Sequence, residues 1–291
     1  MSEIDPHDIM RELGFAGSYS AFVLTEHRGK GVWRMEGESG SFALRILRPD
    51  EHETAAAEQR AMDFARAAGT PTPRVLATGT WRRRPVMLLS WCRGQTLREA
   101  IRRQPWTAFQ LGMACGREQA RMHRNSAPPA LASAGWITRL GPVDPELSRL
   151  LQCVEAARPR LLHLDCHMDN ILIARGQVSG IIDWTNACGG DPRADVAWTW
   201  SLLTSRFGGG VRARAMAFLG SFVAAGWHRG YKQVAGSQRD MLLFQIWALT
   251  GLLHTARAGR ERYGTRSDDT MVARRLANMR EQAGLSPSPP L

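Results

Sequence analysis

The sequence predicts an α+β fold with two lobes, a small lobe built on an antiparallel sheet and a larger, mostly helical lobe. Three short apolar or alternating segments between residues 21 and 49 are separated by glycine-containing turns, which is typical of antiparallel strands. Several long amphipathic or apolar segments after residue 195 have the length and period of helices. We expect the sheet lobe in residues 1–91, the helical lobe in residues 92–283, and a disordered tail in residues 284–291.

The most informative stretch is LLHLDCHMDNILI, residues 161–173, which is followed by GIIDW at residues 180–184. Asp165 can accept the proton of an attacking hydroxyl, whereas Asn170 and Asp183 offer the hard oxygen ligands that Mg²⁺ prefers. The order and spacing are those of phosphoryl-transfer enzymes of the kinase fold. The alternative is a solvated surface loop, but the apolar residues on both sides are typical of buried strands. We therefore predict Asp165 as the catalytic base, and Asn170 and Asp183 as magnesium ligands.

HLDCHMDNIL and the later IIDWTNACGGDPRADVA resemble the aminoglycoside phosphotransferase and choline kinase group of small-molecule kinases. The resemblance implies a protein-kinase-like two-lobe fold, ATP or GTP as phosphoryl donor, Mg²⁺, and a small-molecule hydroxyl as acceptor. It also implies that His163 orients the loop from a buried position. Leu164 stands where the family usually has glycine, the most permissive residue. Asp195 is similar to the family's second aspartate, which we expect to hold the catalytic loop, with a direct substrate role left open.

The first turn of the sheet lobe contains Gly29, Lys30 and Gly31, with Arg28 before them. Glycine backbone can approach a phosphate closely, and the cations add positive charge. Such a sequence is as often only a turn, so a phosphate-binding role and a purely structural role are both open.

Arg45, in the third predicted strand, occupies the position where the kinase fold normally has a lysine that contacts the α and β phosphates. The resemblance implies a glutamate partner on the following helix, and Glu58 has the matching offset. Glu51 and Glu53 are alternatives by charge alone. We predict that Glu58 pairs with Arg45.

In the family, the end of the apolar strand PVMLLSW and the residue that follows it line the adenine pocket. The resemblance therefore places backbone groups of Ser90, Trp91 and Cys92 at the edge of the base. Backbone recognition leaves little trace in a sequence. The choice between ATP and GTP therefore stays open.

Composition limits the other classes of function. The net charge of +11 could indicate nucleic-acid binding, but the cations are almost all arginine and form no clustered basic run. No apolar run is long enough to span a bilayer, no signal peptide is recognisable, and the five cysteines are scattered, so we expect a cytoplasmic protein with reduced thiols. A catalytically silent, nucleotide-binding regulator of the same fold is the main alternative to an enzyme.

The class of acceptor follows from the length of the segment between Asp183 and Asp195 and from the charge of the segment after Asp195. Eleven residues separate Asp183 from Asp195, which leaves no room for the peptide platform of a protein kinase. Polycationic acceptors need a carboxylate-rich pocket, and the segment after Asp195 has few acids. We predict a small-molecule hydroxyl as acceptor, an antibiotic being one candidate. Tryptophans at helical spacing could line its pocket, although core positions are commoner for them: Trp198, Trp200, Trp227 and Trp247.

Overall fold

The computed structural model describes residues 4–15, 17–27, 30–132, 135–154, 158–205, 211–263 and 269–287. These residues form two compact units. Unit 1 draws on Met1–Arg93 and Ser179–Thr185, and unit 2 on Gly94–Val178 and Asn186–Leu291. The sequence placed the boundary at residue 91 and did not anticipate that the segment containing Asp183 belongs to the first unit.

Unit 1 is built on an antiparallel five-stranded sheet with strand order β1-β2-β3-β5-β4. Its elements are α1 (Pro6–Glu12), β1 (Tyr19–His27), β2 (Lys30–Gly37), β3 (Gly40–Ile46), α2 (His52–Ala67), β4 (Val75–Trp81) and β5 (Arg84–Ser90). The three strands predicted between residues 21 and 49 are confirmed as β1, β2 and β3. Each extends beyond its apolar segment because the ladder pairs the flanking turn residues as well.

One face of this sheet forms the core of unit 1. Burial alternates along β2, so that Trp33 and Met35 point inward, as a half-buried strand requires. Leu44 on β3 and Leu88 on β5 lie on the same face, and α1 covers it with apolar side chains that include Ile9. The apolar face fixes the register, because a slip by one residue would expose every one of these side chains.

Helix α2 packs on β4 and β5. Its buried positions recur at helical spacing, and four of the five are apolar: Ala55, Glu58, Ala61, Met62 and Ala65. Glu58 is thus a carboxylate on an apolar face, and it needs a partner within the fold.

Unit 2 is mainly helical. Its helices are α3 (Leu97–Arg103), α4 (Ala108–Met122), α5 (Pro129–Ala132), α6 (Pro145–Val154), α7 (Pro192–Thr204), α8 (Val211–Ala235), α9 (Met241–Tyr263) and α10 (Asp269–Gln282). Its short strands are β6 (Gln95–Thr96), β7 (Arg160–Leu162), β8 (Ile171–Ala174) and β10 (Cys188–Gly190), and β9 (Gln177–Ile181) carries the chain from unit 2 into unit 1. β6 pairs with β8, and β7 pairs with β10. In the part of the chain described, no helix is both long and apolar enough to cross a membrane.

Helix α9 is the central core helix of unit 2. Phe244 and Trp247 on α9 are buried against Trp136, and Trp198 on α7 packs against Trp247. Trp198 and Trp247 pack in the core, so the structural alternative is confirmed for these two, and Trp227 is buried as well.

The C-terminal segment is more ordered than the sequence predicted. Leu285 is buried in the core of unit 2, and the Ser286 carbonyl accepts a hydrogen bond from Arg280 Nε at 2.7 Å. The prediction of disorder from Gly284 onward is therefore wrong as far as Ser286, because one leucine in this polar tail supplies an anchor. Residues 288–291 lie outside the described part of the chain.

Helices α4 and α8 approach each other so closely that glycine is required at their crossing. A Cβ on Gly116 would lie 2.0 Å from the carbonyl oxygen of Trp227, and one on Gly226 would lie 2.0 Å from that of Phe109. Glycine lowers the stability of an isolated helix. The stabilisation that offsets this cost must come from backbone contact between α4 and α8.

We expect Gly116→Ala to lower the free energy of unfolding by about 1–3 kcal/mol, because the methyl group must push α8 away. Chemical denaturation measures the change. Gly135→Ala is the matched control, since a Cβ there meets nothing within 4 Å, and it should change stability by less than about 0.5 kcal/mol. A Gly116→Ala protein as stable as the control would contradict the close crossing.

Candidate active site

The loop between β7 and β8 holds Asp165 in a fixed position. Asn170 donates through Nδ2 to the Asp165 carbonyl at 3.1 Å and to its carboxylate Oδ2 at 3.0 Å. The backbone N–H of His167 donates to the same carbonyl at 2.8 Å. The Asp165 side chain stays 23% exposed, so its carboxylate is anchored on one side and open to solvent on the other.

His163 lies fully buried beneath this loop, as the resemblance implied. Its Nδ1 accepts a hydrogen bond from the backbone N–H of Asp165 at 3.1 Å. The ring therefore sets the backbone direction at Asp165 and does not take part as an exposed acid or base.

Asp195, in the first turn of α7, fixes the loop from below. Its carboxylate accepts hydrogen bonds from the backbone N–H groups of His163 at 2.9 Å and Leu164 at 3.0 Å. His123 Nε2 lies 3.1 Å from the same carboxylate, and its Nδ1 lies 2.7 Å from the hydroxyl of Tyr231. Since a carboxylate only accepts, His123 donates through Nε2.

Burial by itself would raise the pKa of Asp195, but the hydrogen bonds from His123 and the loop backbone outweigh it and hold the pKa below its usual value. Asp195 is therefore ionised throughout the neutral range. Its complete burial agrees with the structural role that we expected for it.

Leu164 occupies the slot that usually holds glycine and keeps the backbone conformation that glycine favours. Its φ is +55°, in the left-handed region, which is costly for a side chain branched like leucine. The side chain is fully buried in the core cluster of unit 2. Burial of a leucine contributes more than this strain costs, so the loop keeps its form without glycine.

Three polar residues of the loop region were missed by the sequence reasoning. His167 Nε2 lies 3.7 Å from Asp165 Oδ1, and Arg98 pairs with both carboxylate oxygens of Asp169 at 2.6 and 2.8 Å. The Arg98 pair ties the loop to α3. For these three residues the sequence offered one signal, which was the position of His167 two residues after Asp165.

Unit 1 holds a second charged cluster, centred on Arg45. Its guanidinium pairs with Glu58 and also donates to Asp183 Oδ1 at 3.2 Å and to Thr185 Oγ1 at 3.1 Å. The pair between Arg45 and Glu58 was predicted, whereas the contacts to Asp183 and Thr185 were not. The ion pair to the buried Glu58 decides against Glu51 and Glu53 as the partner.

The charges in this cluster influence one another strongly. Burial disfavours the charged form of Arg45, but the carboxylates of Glu58 and Asp183 outweigh burial and raise its pKa above the usual value. Arg45 is therefore always cationic. Asp183 is the more open carboxylate, with 43% of its side chain exposed, and its φ of +62° is one that aspartate tolerates better than most residues.

The predicted phosphate turn is only partly described, because Gly29 and Arg28 lie outside the described residues. Lys30 begins β2, and its ammonium lies 2.5 Å from Glu51. Gly31 is a strand residue and not part of the turn, and a Cβ there would meet the ring of Trp33 at 2.2 Å. Gly31 therefore has a packing reason to be glycine.

The segment predicted to contact the nucleotide base begins at Ser90, the last residue of β5. The backbone N–H of Ser90 donates to the Arg74 carbonyl at 2.8 Å, and its hydroxyl accepts from the Arg74 N–H at 2.9 Å. The N–H of Ser90 is thus committed within the fold, so the Ser90 carbonyl and the backbone of Trp91 and Cys92 are the candidate contacts to the base. Burial raises the pKa of the Cys92 thiol to about 11, so this side chain stays neutral.

The cysteine next to the base is a packing residue. Cys166 is buried, and burial raises the pKa of its thiol well above the usual value. A thiol in that state is a poor nucleophile. All five cysteines are free.

Asn170 in unit 2 and Asp183 in unit 1 each offer an oxygen of the kind that Mg²⁺ prefers. Because Nδ2 of Asn170 makes both bonds to Asp165, Oδ1 is the atom of Asn170 that remains to bind a cation, and Asp183 supplies an exposed carboxylate. Hard oxygens are what Mg²⁺ prefers, and it usually keeps several waters. Among the described residues, no group of three or more His, Cys, Asp or Glu side chains could hold a metal.

Comparison with known proteins identifies the family. The model of the phosphotransferase enzyme family matches residues 28–232 of the sequence. The chain belongs to this family. It is a phosphotransferase that acts on hydroxyl groups of small molecules, as the sequence predicted. No curated protein matches the chain significantly.

Solved structures share the two-lobe protein-kinase-like fold, which confirms the predicted fold class. A thermostable mutant of aminoglycoside phosphotransferase APH(4)-Ia, in a ternary complex with AMP-PNP and hygromycin B, is 14% identical with a TM-score of 0.68, covering 97% of this chain and 99% of that chain. A putative fructosamine-3-kinase from Haemophilus somnus is 12% identical with a TM-score of 0.62, covering 94% and 96%. Spectinomycin phosphotransferase APH(9)-Ia, with ADP and spectinomycin, is 12% identical with a TM-score of 0.59, covering 94% and 92%.

The phosphotransferase also has a cavity of about 270 Å³ in unit 2. Trp200 and Trp227 form part of its wall, together with Tyr231 and Lys232, and none of the described residues that line it is an aspartate or glutamate. Trp200 is thus the predicted tryptophan that lies outside the core, while Trp227 is both buried and in the wall.

We expect Asp195→Asn to lower the free energy of unfolding at neutral pH by about 2–4 kcal/mol, because the amide places N–H groups against the donors of the loop. Since the folded-state pKa of Asp195 is lowered, its contribution is present above the unfolded value of about 3.9 and is lost as the pH falls through the folded pKa. Denaturation at several pH values should show the two proteins converging below about pH 4. A constant difference down to acid pH would contradict the role of the charge.

Proposed function

We propose that this phosphotransferase transfers the γ-phosphoryl group of a nucleoside triphosphate, ATP or GTP, to a hydroxyl of a small molecule in the cytoplasm. The observation that carries the proposal is the Asp165 carboxylate, which is anchored by Asn170 and left partly exposed on a loop that Asp195 holds. A general base must be fixed in position and yet reachable by the hydroxyl proton that it accepts. The free cysteines agree with a reducing compartment.

Asp165 acts as the base that accepts the proton of the acceptor hydroxyl. Its Oδ2 receives the Asn170 amide, and we assign the proton of the acceptor hydroxyl to Oδ1. His167, whose Nε2 lies 3.7 Å from Oδ1, adds a polar group on the same side. Phosphoryl transfer needs little covalent help from the protein, so positioning this hydroxyl is the main contribution of the loop.

Asn170 and Asp183 are the proposed magnesium ligands. The ion, when bound, offsets the negative charge of the phosphates. Asn170 links its metal role to catalysis, because the same amide group anchors the base. Asp183 contributes the full negative charge that an amide lacks.

Arg45 is the proposed phosphate contact, with Glu58 as its anchor. Glu58 fixes the guanidinium from the α2 side, and the planar fork keeps further donors that phosphate oxygens can accept. Gly29, Lys30 and Gly31 remain candidates for the phosphates, and the backbone of Trp91 and Cys92 for the base. Arg45 and Leu164 depart from the family pattern, but neither change removes a group that the reaction needs. This favours an active enzyme over a catalytically silent regulator.

For the acceptor, we propose a hydroxyl compound without several positive charges. None of the described residues that line the cavity of unit 2 carries a carboxylate, and the whole chain carries a net charge of +11. Amines of a polycationic antibiotic need paired carboxylates, so a neutral or weakly charged antibiotic or sugar derivative is the better first choice.

The proposal is tested with a panel of hydroxyl compounds, each incubated with Mg²⁺ and either ATP or GTP, by detection of the phosphorylated product. Asp165→Asn should lower the turnover of any acceptor found by about 10²–10⁴-fold, because it removes the proton acceptor. Its affinity for the Mg²⁺ nucleotide should change little. Full activity in Asp165→Asn would refute the assignment of the base.

We expect Arg45→Ala to weaken nucleotide binding about tenfold or more, since one charged contact to phosphate contributes about 1.5–3 kcal/mol. Glu58→Ala should weaken binding partly, and the two changes should be non-additive because they act through the same arrangement. Arg45→Lys is the control that separates charge from geometry, because lysine keeps the charge and loses the planar fork. Calorimetry measures the four affinities, and strictly additive effects would refute the pair.

A further inference from the structure

The hydroxyl of Thr185 lies at the centre of the charged cluster in unit 1. Its Oγ1 is 2.7 Å from Asp183 Oδ1, 3.1 Å from Arg45 Nη2 and 3.3 Å from Glu58 Oε2. It thus contacts a proposed metal ligand, a proposed phosphate contact and the anchor of that contact.

A hydroxyl has one hydrogen to donate and two lone pairs to accept with. Oγ1 accepts from the guanidinium of Arg45, which carries only donors. Its one hydrogen can serve only one of the two carboxylates, and the shorter distance assigns it to Asp183. Hydrogen bonds from a hydroxyl to a carboxylate are short and strong, and 2.7 Å agrees with that.

Arg45 has two roles that compete. In this structure its Nη2 donates to Asp183 at 3.2 Å, and the same donor can instead turn to a phosphate oxygen of the nucleotide. Asp183 then loses one of the groups that orient its carboxylate. The hydroxyl of Thr185 is bonded to Asp183 independently of Arg45 and keeps the carboxylate oriented.

We propose that Thr185 is a positioning residue for magnesium, which acts by fixing the Asp183 carboxylate when Arg45 leaves it for phosphate. This inference rests on the proposed roles of Asp183 and Arg45. Outer groups that orient a metal ligand commonly change metal affinity by about 10–100-fold. The effect should therefore appear in the requirement for Mg²⁺ and not in nucleotide binding without metal.

The test is a Mg²⁺ titration of nucleotide binding, followed by calorimetry, in the full-length protein. Thr185→Val removes the hydroxyl at nearly constant shape and should raise the Mg²⁺ concentration at half-saturation about tenfold or more. Thr185→Ser keeps the hydroxyl and should restore most of the Mg²⁺ affinity. Thr78→Val is the matched control, because Thr78 is an exposed residue of β4, and it should behave as the wild type.

Each outcome decides a different point. A Thr185→Val protein with the wild-type Mg²⁺ requirement overturns the inference, provided that Asp183→Ala abolishes the Mg²⁺ dependence. If Asp183→Ala also leaves the Mg²⁺ dependence unchanged, the proposed metal ligand is wrong and the proposed function fails with it. Equal weakening of binding with and without Mg²⁺ in Thr185→Val, matched by a lower melting temperature, would assign Thr185 a merely structural role and overturn the inference.

Discussion

The catalytic loop depends on one buried carboxylate. The chain leaves β7 at Leu162, and the next two N–H groups, those of His163 and Leu164, both donate to Asp195. Buried N–H groups must be paired, and a charged acceptor forms stronger bonds than a neutral one. Because Asp195 is in the first turn of α7, the position of the loop is set by the helix that packs against the central helix α9.

This anchoring explains how the loop functions without its usual glycine. Leu164 donates its N–H to Asp195 while its backbone is left-handed, and the buried side chain contributes apolar contacts that glycine could not. Strain of about 1–2 kcal/mol persists where the surroundings determine the conformation by several contacts. Asp195 and the apolar core together meet that condition, so the substitution changes the energetics of the loop more than its shape.

The sequence predicted the residues whose chemistry is local and missed those whose contacts are long-range. Asp165 and Asn170 are five positions apart on one loop, so their spacing is informative, and the strands of unit 1 follow from alternation and turns. Nothing local indicates that Thr185 contacts Arg45, because 140 positions separate them in the chain. The bond between the Ser90 N–H and Arg74 was missed for the same reason, and Leu285 was missed because the composition of its segment outweighed one apolar residue.

The arginine at position 45 changes the cluster that a lysine would form. A lysine presents three donors from one nitrogen, whereas the guanidinium of Arg45 uses separate nitrogens, Nη1 toward Glu58 and Nη2 toward Asp183 and Thr185. One nitrogen can therefore leave Asp183 while the other keeps its partner. Removing one partner of a buried ion pair is costly, and the continuous contact with Glu58 avoids that cost when Nη2 moves. An arginine in this position can thus exchange a carboxylate for a phosphate without losing its anchor.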